Sequence, residues 1–297
     1  MACLPVDSLL RLRLSSRLAD EYVSATLKTR FRHLIRPFID DYDLFDHTLI
    51  KLAAVIGSDG ALGVLYPAFP MPDHIELFTP FETHTEMVGH LVEVEGYSIE
   101  DVLFQEQDCL PESVSCIAWV ARGDFTIAVV ASSSSSPLWP ITAGWNTALF
   151  AYVTPNIFEH AYPGLTEESA ALFNPERLLA GRRVPPPTFA RMAADWVSDH
   201  GWLFGVMEDD LPTREACTGD NSALCGAVVR FFGDRHCTRG TLLALDDPFI
   251  RHPANQLTRY TAMWWRGGHL CSPQCHSGVL ELTPQARTCL RSAVRFD

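Results

Sequence analysis

The segment from Val55 to Pro80 restricts the possible folds of this chain more than any other stretch. A short apolar run enters a turn at Gly57-Ser58, and Ala61 to Tyr66 then has the composition of a short helix. The next run alternates polar and apolar side chains as a strand does, which places His74 and Glu76 on one face. This order predicts a sheet with a helix packed against it.

The rest of the chain supplies further strands and helices. Two apolar runs, Ser115 to Ala121 and Phe125 to Ala131, flank Arg122-Gly123-Asp124 and predict a hairpin of two buried strands. Helical spacing or apolar length predicts helices over 17–40, 44–54, 83–95, 141–157 and 189–200. We therefore expect an α+β fold, a mixed sheet with packed helices. Residues 1–165 form its core, and residues 166–297 form a loop-rich extension packed on it.

Composition narrows the classes of protein further. The chain is 47% hydrophobic, which excludes a wholly disordered protein, and its net charge is −13. Such an acidic surface repels phosphate backbones, so we expect no non-specific binding to nucleic acid and no binding to anionic membranes. We find no apolar run of 18 residues and no signal-peptide pattern near Arg11 and Arg13, which predicts an intracellular protein of the cytoplasm or nucleus.

Four short stretches give the chain a family resemblance. It resembles the nucleotidyltransferase-like proteins of mushroom-forming, basidiomycete fungi, within the nucleotidyltransferase fold superfamily. The stretches that carry the resemblance are Arg30 to Ile39 with Val55 to Ser58, Pro72 to Pro80, Asn146 to Ala148 with Ala161 to Thr166, and Trp265 to Gly268 with Cys271. The resemblance implies that the mixed sheet is of the nucleotidyltransferase type.

The resemblance also implies a site. In that fold a Gly-Ser turn opens a helix whose free backbone N–H groups hold nucleotide phosphates, a role that falls here on Gly57 and Ser58. Two carboxylates two residues apart on the next strand bind Mg²⁺ together with a third from a later strand. His74 and Glu76 occupy the positions of the pair.

The sequence departs from this pattern at the metal ligands. His74 replaces the first carboxylate, Glu76 retains the second, and Ala128 stands where we align the third. Mg²⁺ prefers hard oxygen ligands in octahedral geometry, and imidazole is a poor substitute. The residues therefore argue against standard nucleotidyl transfer, and we expect a catalytically inactive protein that binds a nucleotide or a protein partner near Gly57, Ser58, His74 and Glu76.

Alternatives remain open for these positions. His74 and Glu76 also fit a solvated strand face that needs no function. A surviving metal site would need Asp73 to join Glu76 through a bulge, and an active Mg²⁺-dependent transferase would need a relocated acid such as Asp73 or Asp124. Ser58 fits a turn or helix cap as well as a phosphate contact.

Cysteine and histidine in the last third of the chain suggest a different class. His269, Cys271, Cys275 and His276 gather four zinc-type ligands within eight residues, although without a CxxC pair. The alternatives are buried free thiols and loop histidines, since nine cysteines in a reducing compartment favour thiols over disulfides. If zinc binds, we expect a zinc-stabilised interaction protein.

Overall fold

The computed structural model describes residues 4–105, 110–174, 187–206, 210–211, 224–225, 228–247 and 262–266. Seven α-helices occur in these ranges, and most of them precede the middle of the chain. They are α1 (Val6–Arg13), α2 (Arg17–Ile35), α3 (Tyr42–Lys51), α4 (Ser58–Leu65), α5 (His84–Glu93), α6 (Pro163–Glu167) and α7 (Pro187–His200). The predicted helices over 17–40, 44–54, 83–95 and 189–200 correspond to α2, α3, α5 and α7.

Twelve strands are described, and eight of them form one sheet. They are β1 (Val55–Gly57), β2 (His74–Thr79), β3 (Ser98–Phe104), β4 (Val114–Arg122), β5 (Phe125–Ser132), β6 (Ala151–Val153), β7 (Ile157–His160), β8 (Ala170–Leu172), β9 (Leu203–Gly205), β10 (Val229–Phe231), β11 (Thr238–Thr241) and β12 (Met263–Trp265). The large sheet has the order β11-β7-β6-β1-β2-β5-β4-β3. Within it, β2 and β5 run parallel and the other described pairs run antiparallel.

This mixed sheet and its helices confirm the predicted α+β class. Two smaller pairs, β10 with β12 and β8 with β9, lie outside the large sheet. Strand β11 comes from the region that we assigned to the extension, yet it pairs with β7 of the core. Arg13 of α1 also donates a hydrogen bond of 2.6 Å to the carbonyl oxygen of Thr241. The far part of the chain is thus joined to the core by main-chain and side-chain hydrogen bonds.

The β1–α4–β2 unit follows its sequence closely. Ile56 packs in the cluster that α2 and α4 cover, whereas Val55 packs with Phe78 on the other face. Glycine is required at position 57 because a Cβ there would lie 2.5 Å from Cε2 of the Phe78 ring. On β2, Ile75 and Leu77 are buried among the helices. His74 and Glu76 therefore point to the opposite face.

The predicted β4–β5 hairpin is confirmed, whereas the prediction of a helix over 141–157 is wrong. In the hairpin, Arg122 pairs with Phe125 across a turn in which Gly123 has φ +60°. In place of the predicted helix, the chain forms two 3₁₀ turns, Pro140–Ala143 and Thr147–Leu149, followed by β6. The apolar run indicated burial correctly. Asn146 favours the turn because its side chain accepts a hydrogen bond of 2.8 Å from the Ala148 backbone N–H.

No helix in the described ranges is long and apolar enough to cross a membrane.

Candidate functional site

The junction of β1 and α4 has an unusual backbone. Ser58 is the first residue of α4 and has φ +52°, in the left-handed region that L-amino acids other than Asn and Asp seldom adopt. Gly57, at the cap position, offers no side chain to the free N–H groups of the first turn. The start of α4 is therefore a strained turn with uncapped donors, a combination found at ligand-binding turns.

The polar face of β2 is half-buried. His74 and Glu76 are each partly covered, and the His74 ring lies 5.9 Å from the Trp119 ring of β4, centroid to centroid. A fully solvated strand face would leave both side chains exposed. Here both side chains are half-buried and form part of the wall of a cavity.

The neighbouring strand carries no carboxylate at this level. In the parallel β2–β5 pair, Glu76 is opposite Ala128 and His74 is opposite Thr126. Residues opposite each other in a sheet share a face, so the Ala128 methyl group is beside Glu76. Ala128 thus stands on the strand next to Glu76.

The two half-buried residues of β2 open into a cavity of about 380 Å³, the α4–α7 cavity. Its polar lining comes from Ser58, Asp59, His74, Glu76, Asp195, Asp199 and His200, and its apolar lining from Trp145, Leu149, Met192 and Trp196, with Gly60 completing the wall. The structure therefore brings three of the four predicted nucleotide-binding residues together. Gly57 is buried beneath Phe78 and lies outside the lining.

Two acids that the sequence offered for the site, Asp73 and Asp124, do not reach the α4–α7 cavity in this structure. Asp73 and Asp124 are exposed, and neither belongs to its lining. Asp124 lies in the tight β4–β5 turn, where a carboxylate is solvated. The zinc candidates His269, Cys271, Cys275 and His276 lie outside the described residues.

Asp59 is the carboxylate that sequence reasoning missed. Its Oδ1 atom is buried and has no hydrogen-bond partner among the described residues. Burial, with a smaller contribution from the negative charge of Glu76, raises the pKa of Asp59 to about 7. The sequence signal that could have identified Asp59 was its position directly after Gly57-Ser58. A residue in the first turn of a helix lies close to any cavity at the start of that helix.

Helix α7 closes the other part of the cavity. Asp195 and Asp199 are four residues apart, so they project from one helix face. Trp196 anchors the helix, with its ring 4.7 Å from the Trp202 ring and 5.3 Å from the Trp145 ring. Aromatic packing of this kind fixes the helix that carries the two exposed carboxylates.

The donor set fits a divalent cation only in part. Asp59 and Glu76 offer hard oxygen ligands of the kind that Mg²⁺ prefers. Among the residues that the structure describes, however, no three His, Cys, Asp or Glu side chains are grouped so that they could hold one metal ion. A cation here would therefore need ligands from a bound molecule.

Two buried polar groups on β7 are structural. His160 Nδ1 is 2.8 Å from Tyr66 Oη, and complete burial lowers the pKa of His160 to about 3. Glu159 accepts hydrogen bonds from Tyr152 Oη, at 3.1 Å, and from the Gly233 backbone N–H. Burial raises the pKa of Glu159. Both groups are satisfied by protein donors or acceptors and tie β7 to its neighbours.

Comparison with known proteins identifies no relative. No protein-family model, no curated protein and no solved structure matches the chain.

Proposed function

We propose that the protein binds a nucleotide, together with a divalent cation, in the α4–α7 cavity and does not transfer it. One observation carries the proposal: the strained start of α4 at Ser58 and the carboxylate of Glu76 line the same cavity. That juxtaposition is what the resemblance to nucleotidyltransferase-like proteins implies for a phosphate contact beside a metal contact.

The phosphate contact would be the first turn of α4. The first N–H groups of a helix have no partner inside the helix, and they carry a partial positive charge. Ser58 and Gly60 both line the cavity, and Gly60 has only backbone atoms to present to a ligand there. Gly57 brings no side chain that would cap these donors.

Charge makes the binding dependent on a cation. Four carboxylates line the cavity, and no lysine or arginine does so in the described part of the chain. Nucleotide phosphates would be repelled unless a divalent cation neutralised them. Mg²⁺ in proteins is commonly held by one or two carboxylates together with substrate phosphates, and Glu76 and Asp59 would supply those carboxylates.

The same residues argue against transfer. Phosphoryl transfer by two metal ions needs a cluster of carboxylates that anchors both ions about 4 Å apart. The strand position beside Glu76 is Ala128, and the described residues form no group of three metal ligands. Binding without turnover is therefore the function that this geometry favours.

Thermal unfolding with and without ligand tests the proposal. The Tm of the wild type and of Glu76→Gln is measured with each of ATP, GTP, CTP and UTP. Each nucleotide is added with and without Mg²⁺ or Mn²⁺. We expect at least one nucleotide to raise Tm only with the metal, because a ligand at 100 times its Kd adds about 2.7 kcal/mol of stability. The shift should vanish in Glu76→Gln and persist in Glu82→Gln, which removes an exposed charge elsewhere. No shift with any nucleotide would contradict the proposal and favour a protein partner.

A second candidate is an active Mg²⁺-dependent transferase with a relocated carboxylate. Asp59 supports it, because this acid lines the α4–α7 cavity whereas Asp73 and Asp124 do not. Labelled nucleoside monophosphate transferred to an acceptor by the wild type and not by Asp59→Asn would establish it. The absence of transfer alongside a metal-dependent Tm shift would leave the binding function.

The zinc-stabilised interaction protein remains a separate proposal. Stoichiometric zinc after metal-free purification, lost in Cys271→Ser with Cys275→Ser, would support it. A metal-free, folded protein would contradict it.

A further inference from the structure

Several carboxylates give the α4–α7 cavity a negative charge. Asp59 and Glu76 approach it from α4 and β2, and Asp195 and Asp199 approach it from α7. Among the described residues, the remaining titratable side chains of the lining are His74 and His200. Within the described ranges no lysine or arginine lines the cavity, so its field attracts cations.

A second observation points to a ligand. Oδ1 of Asp59 is buried without a hydrogen-bond partner in the described part of the chain, and the residue Asp59 lines a cavity with room for a small molecule. A buried acceptor without a donor costs about 1–3 kcal/mol, so folded proteins seldom leave one unless a ligand or water satisfies it. A donor-rich cationic ligand would satisfy Asp59.

The apolar lining shows which kind of cation fits. The ring of Trp196 lies 5.3 Å from that of Trp145, at 75°, and both line the cavity together with Leu149 and Met192. Indole faces attract ammonium groups, and the apolar side chains accept methylene groups. A bare metal ion fits less well, since the described residues contain no group of three ligands around one point.

We propose that the α4–α7 cavity binds an aliphatic diamine, with one ammonium group at Asp59 and Glu76, the other at Asp195 and Asp199, and the hydrocarbon chain against Trp145 and Trp196. The volume of about 380 Å³ lies within the range of small-molecule sites. Helix α7 would then act in recognition, with Trp196 as the residue that positions the two distal carboxylates.

This inference does not depend on nucleotide binding. A diamine and a nucleotide with its cation would compete, because both would use the carboxylates of Asp59 and Glu76. The Asp195 and Asp199 pair belongs to the diamine alone. Substitution of that pair therefore separates the two functions.

Calorimetric titration with 1,4-diaminobutane as the probe tests the proposal. We expect saturable binding of 1,4-diaminobutane, weaker binding of 1-aminobutane and none of 1,4-butanediol, because the affinity should follow the number of ammonium groups. In Asp195→Asn with Asp199→Asn the affinity for the diamine should fall at least about tenfold, since two charge-assisted contacts are lost. These side chains are exposed, so the variant should fold normally.

Matched variants and ligands make each outcome decisive. Glu93→Gln with Glu100→Gln also removes two exposed charges, both outside the cavity, and should bind the diamine as the wild type does. Equal affinity of the wild type and the α7 variant would overturn the proposal, as would equal affinity for 1,4-diaminobutane and 1-aminobutane. A metal-dependent nucleotide shift without diamine binding would contradict this inference alone, and diamine binding without any nucleotide shift would contradict the proposed function alone.

Discussion

Glu76 on β2 lies directly opposite Ala128 on β5, in a parallel pair of strands at the centre of the sheet. The carboxylate and the methyl group share one face, and Ala128 is 1% exposed. A metal-binding strand pair with an acid on each strand would need a carboxylate at the alanine. This pairing is the main observation behind our proposal that the protein binds a nucleotide without transferring it.

Introducing a carboxylate at that position should make the stability of the protein sensitive to divalent metal. We expect Ala128→Asp to lower the free energy of unfolding by about 3 kcal/mol without metal, because it buries a charge beside Glu76. Millimolar Mn²⁺ should recover part of this loss by neutralising the two carboxylates, as measured by urea denaturation. Ala128→Asn is the matched control and should show no Mn²⁺ response. If Mn²⁺ changed the stability of both variants equally, a carboxylate at position 128 would not contribute to metal binding.

Backbone strain at Ser58 should be relieved by glycine. Ser58 has φ +52°, a conformation that costs an L-residue about 1–2 kcal/mol and glycine little. We expect Ser58→Gly to raise the free energy of unfolding by about 1 kcal/mol, whereas Ser58→Ala should not. If the hydroxyl contacts phosphate, both variants should lose part of the metal-dependent nucleotide shift.

Ala53 provides a control for that strain outside the cavity. It has φ +51° at the end of α3, where the Ala54 N–H donates to Leu49 O and the Ala53 N–H donates to Ile50 O. This pattern is the helix-terminating motif that favours glycine. Ala53→Gly should stabilise the protein by about 0.5–1 kcal/mol and leave ligand binding unchanged. A destabilised Ala53→Gly would show that the methyl group contributes more by packing than it costs in strain.

The stability of the protein should depend on Asp59 near neutral pH. The pKa of Asp59 is raised to about 7, from an ordinary value of about 3.9 in the unfolded chain. Between these values the folded state holds a proton that the unfolded state has released, so stability falls as pH rises towards 7. We expect Asp59→Asn to gain at most about 3 kcal/mol relative to the wild type between pH 5 and pH 8, at 1.36 kcal/mol per pKa unit.

Urea denaturation at several pH values measures this difference. Glu82→Gln is the control, because that exposed side chain lies outside the cavity. Its stability should run parallel to that of the wild type. A parallel curve for Asp59→Asn would show instead that the pKa of Asp59 does not differ between the folded and unfolded states.

His160 should dominate part of the acid side of the stability curve. Burial lowers its pKa to about 3, against about 6.5 in the unfolded chain. Below pH 6.5 the unfolded chain takes up a proton that the folded protein excludes, so this contribution is lost as pH falls from 6.5 towards 3. From pH 7.5 to pH 5 the loss should be about 2 kcal/mol, at 1.36 kcal/mol per pKa unit.

His160→Gln tests this assignment. The variant should be less stable at pH 7.5, because the hydrogen bond to Tyr66 changes, yet it should lose less stability on acidification than the wild type. Equal losses in the two proteins would show that His160 does not titrate on unfolding.

The sequence by itself determined the local elements and the sides of the strands. Period-two alternation placed His74 and Glu76 together on one face of β2, and the glycine after Arg122 marked the β4–β5 hairpin. The resemblance to nucleotidyltransferase-like proteins, and not the periodicity, aligned Ala128 with the third carboxylate of that fold, and Ala128 lies beside Glu76 in the sheet. These properties depend on neighbouring residues, which is why a single sequence contains them.

Only the tertiary structure decided what faces these residues. The continuous apolar composition over 141–157 predicted a helix, but this segment forms 3₁₀ turns and a strand. An apolar run can be buried in a helix or in a strand, so its composition alone does not distinguish the two. No sequence periodicity links Glu76 to the other carboxylates of the cavity. Asp59 lies on a different element, α4, and Asp195 and Asp199 lie on α7, far along the chain. Long-range packing, above all of Trp196 against Trp145 and Trp202, brings them to one cavity.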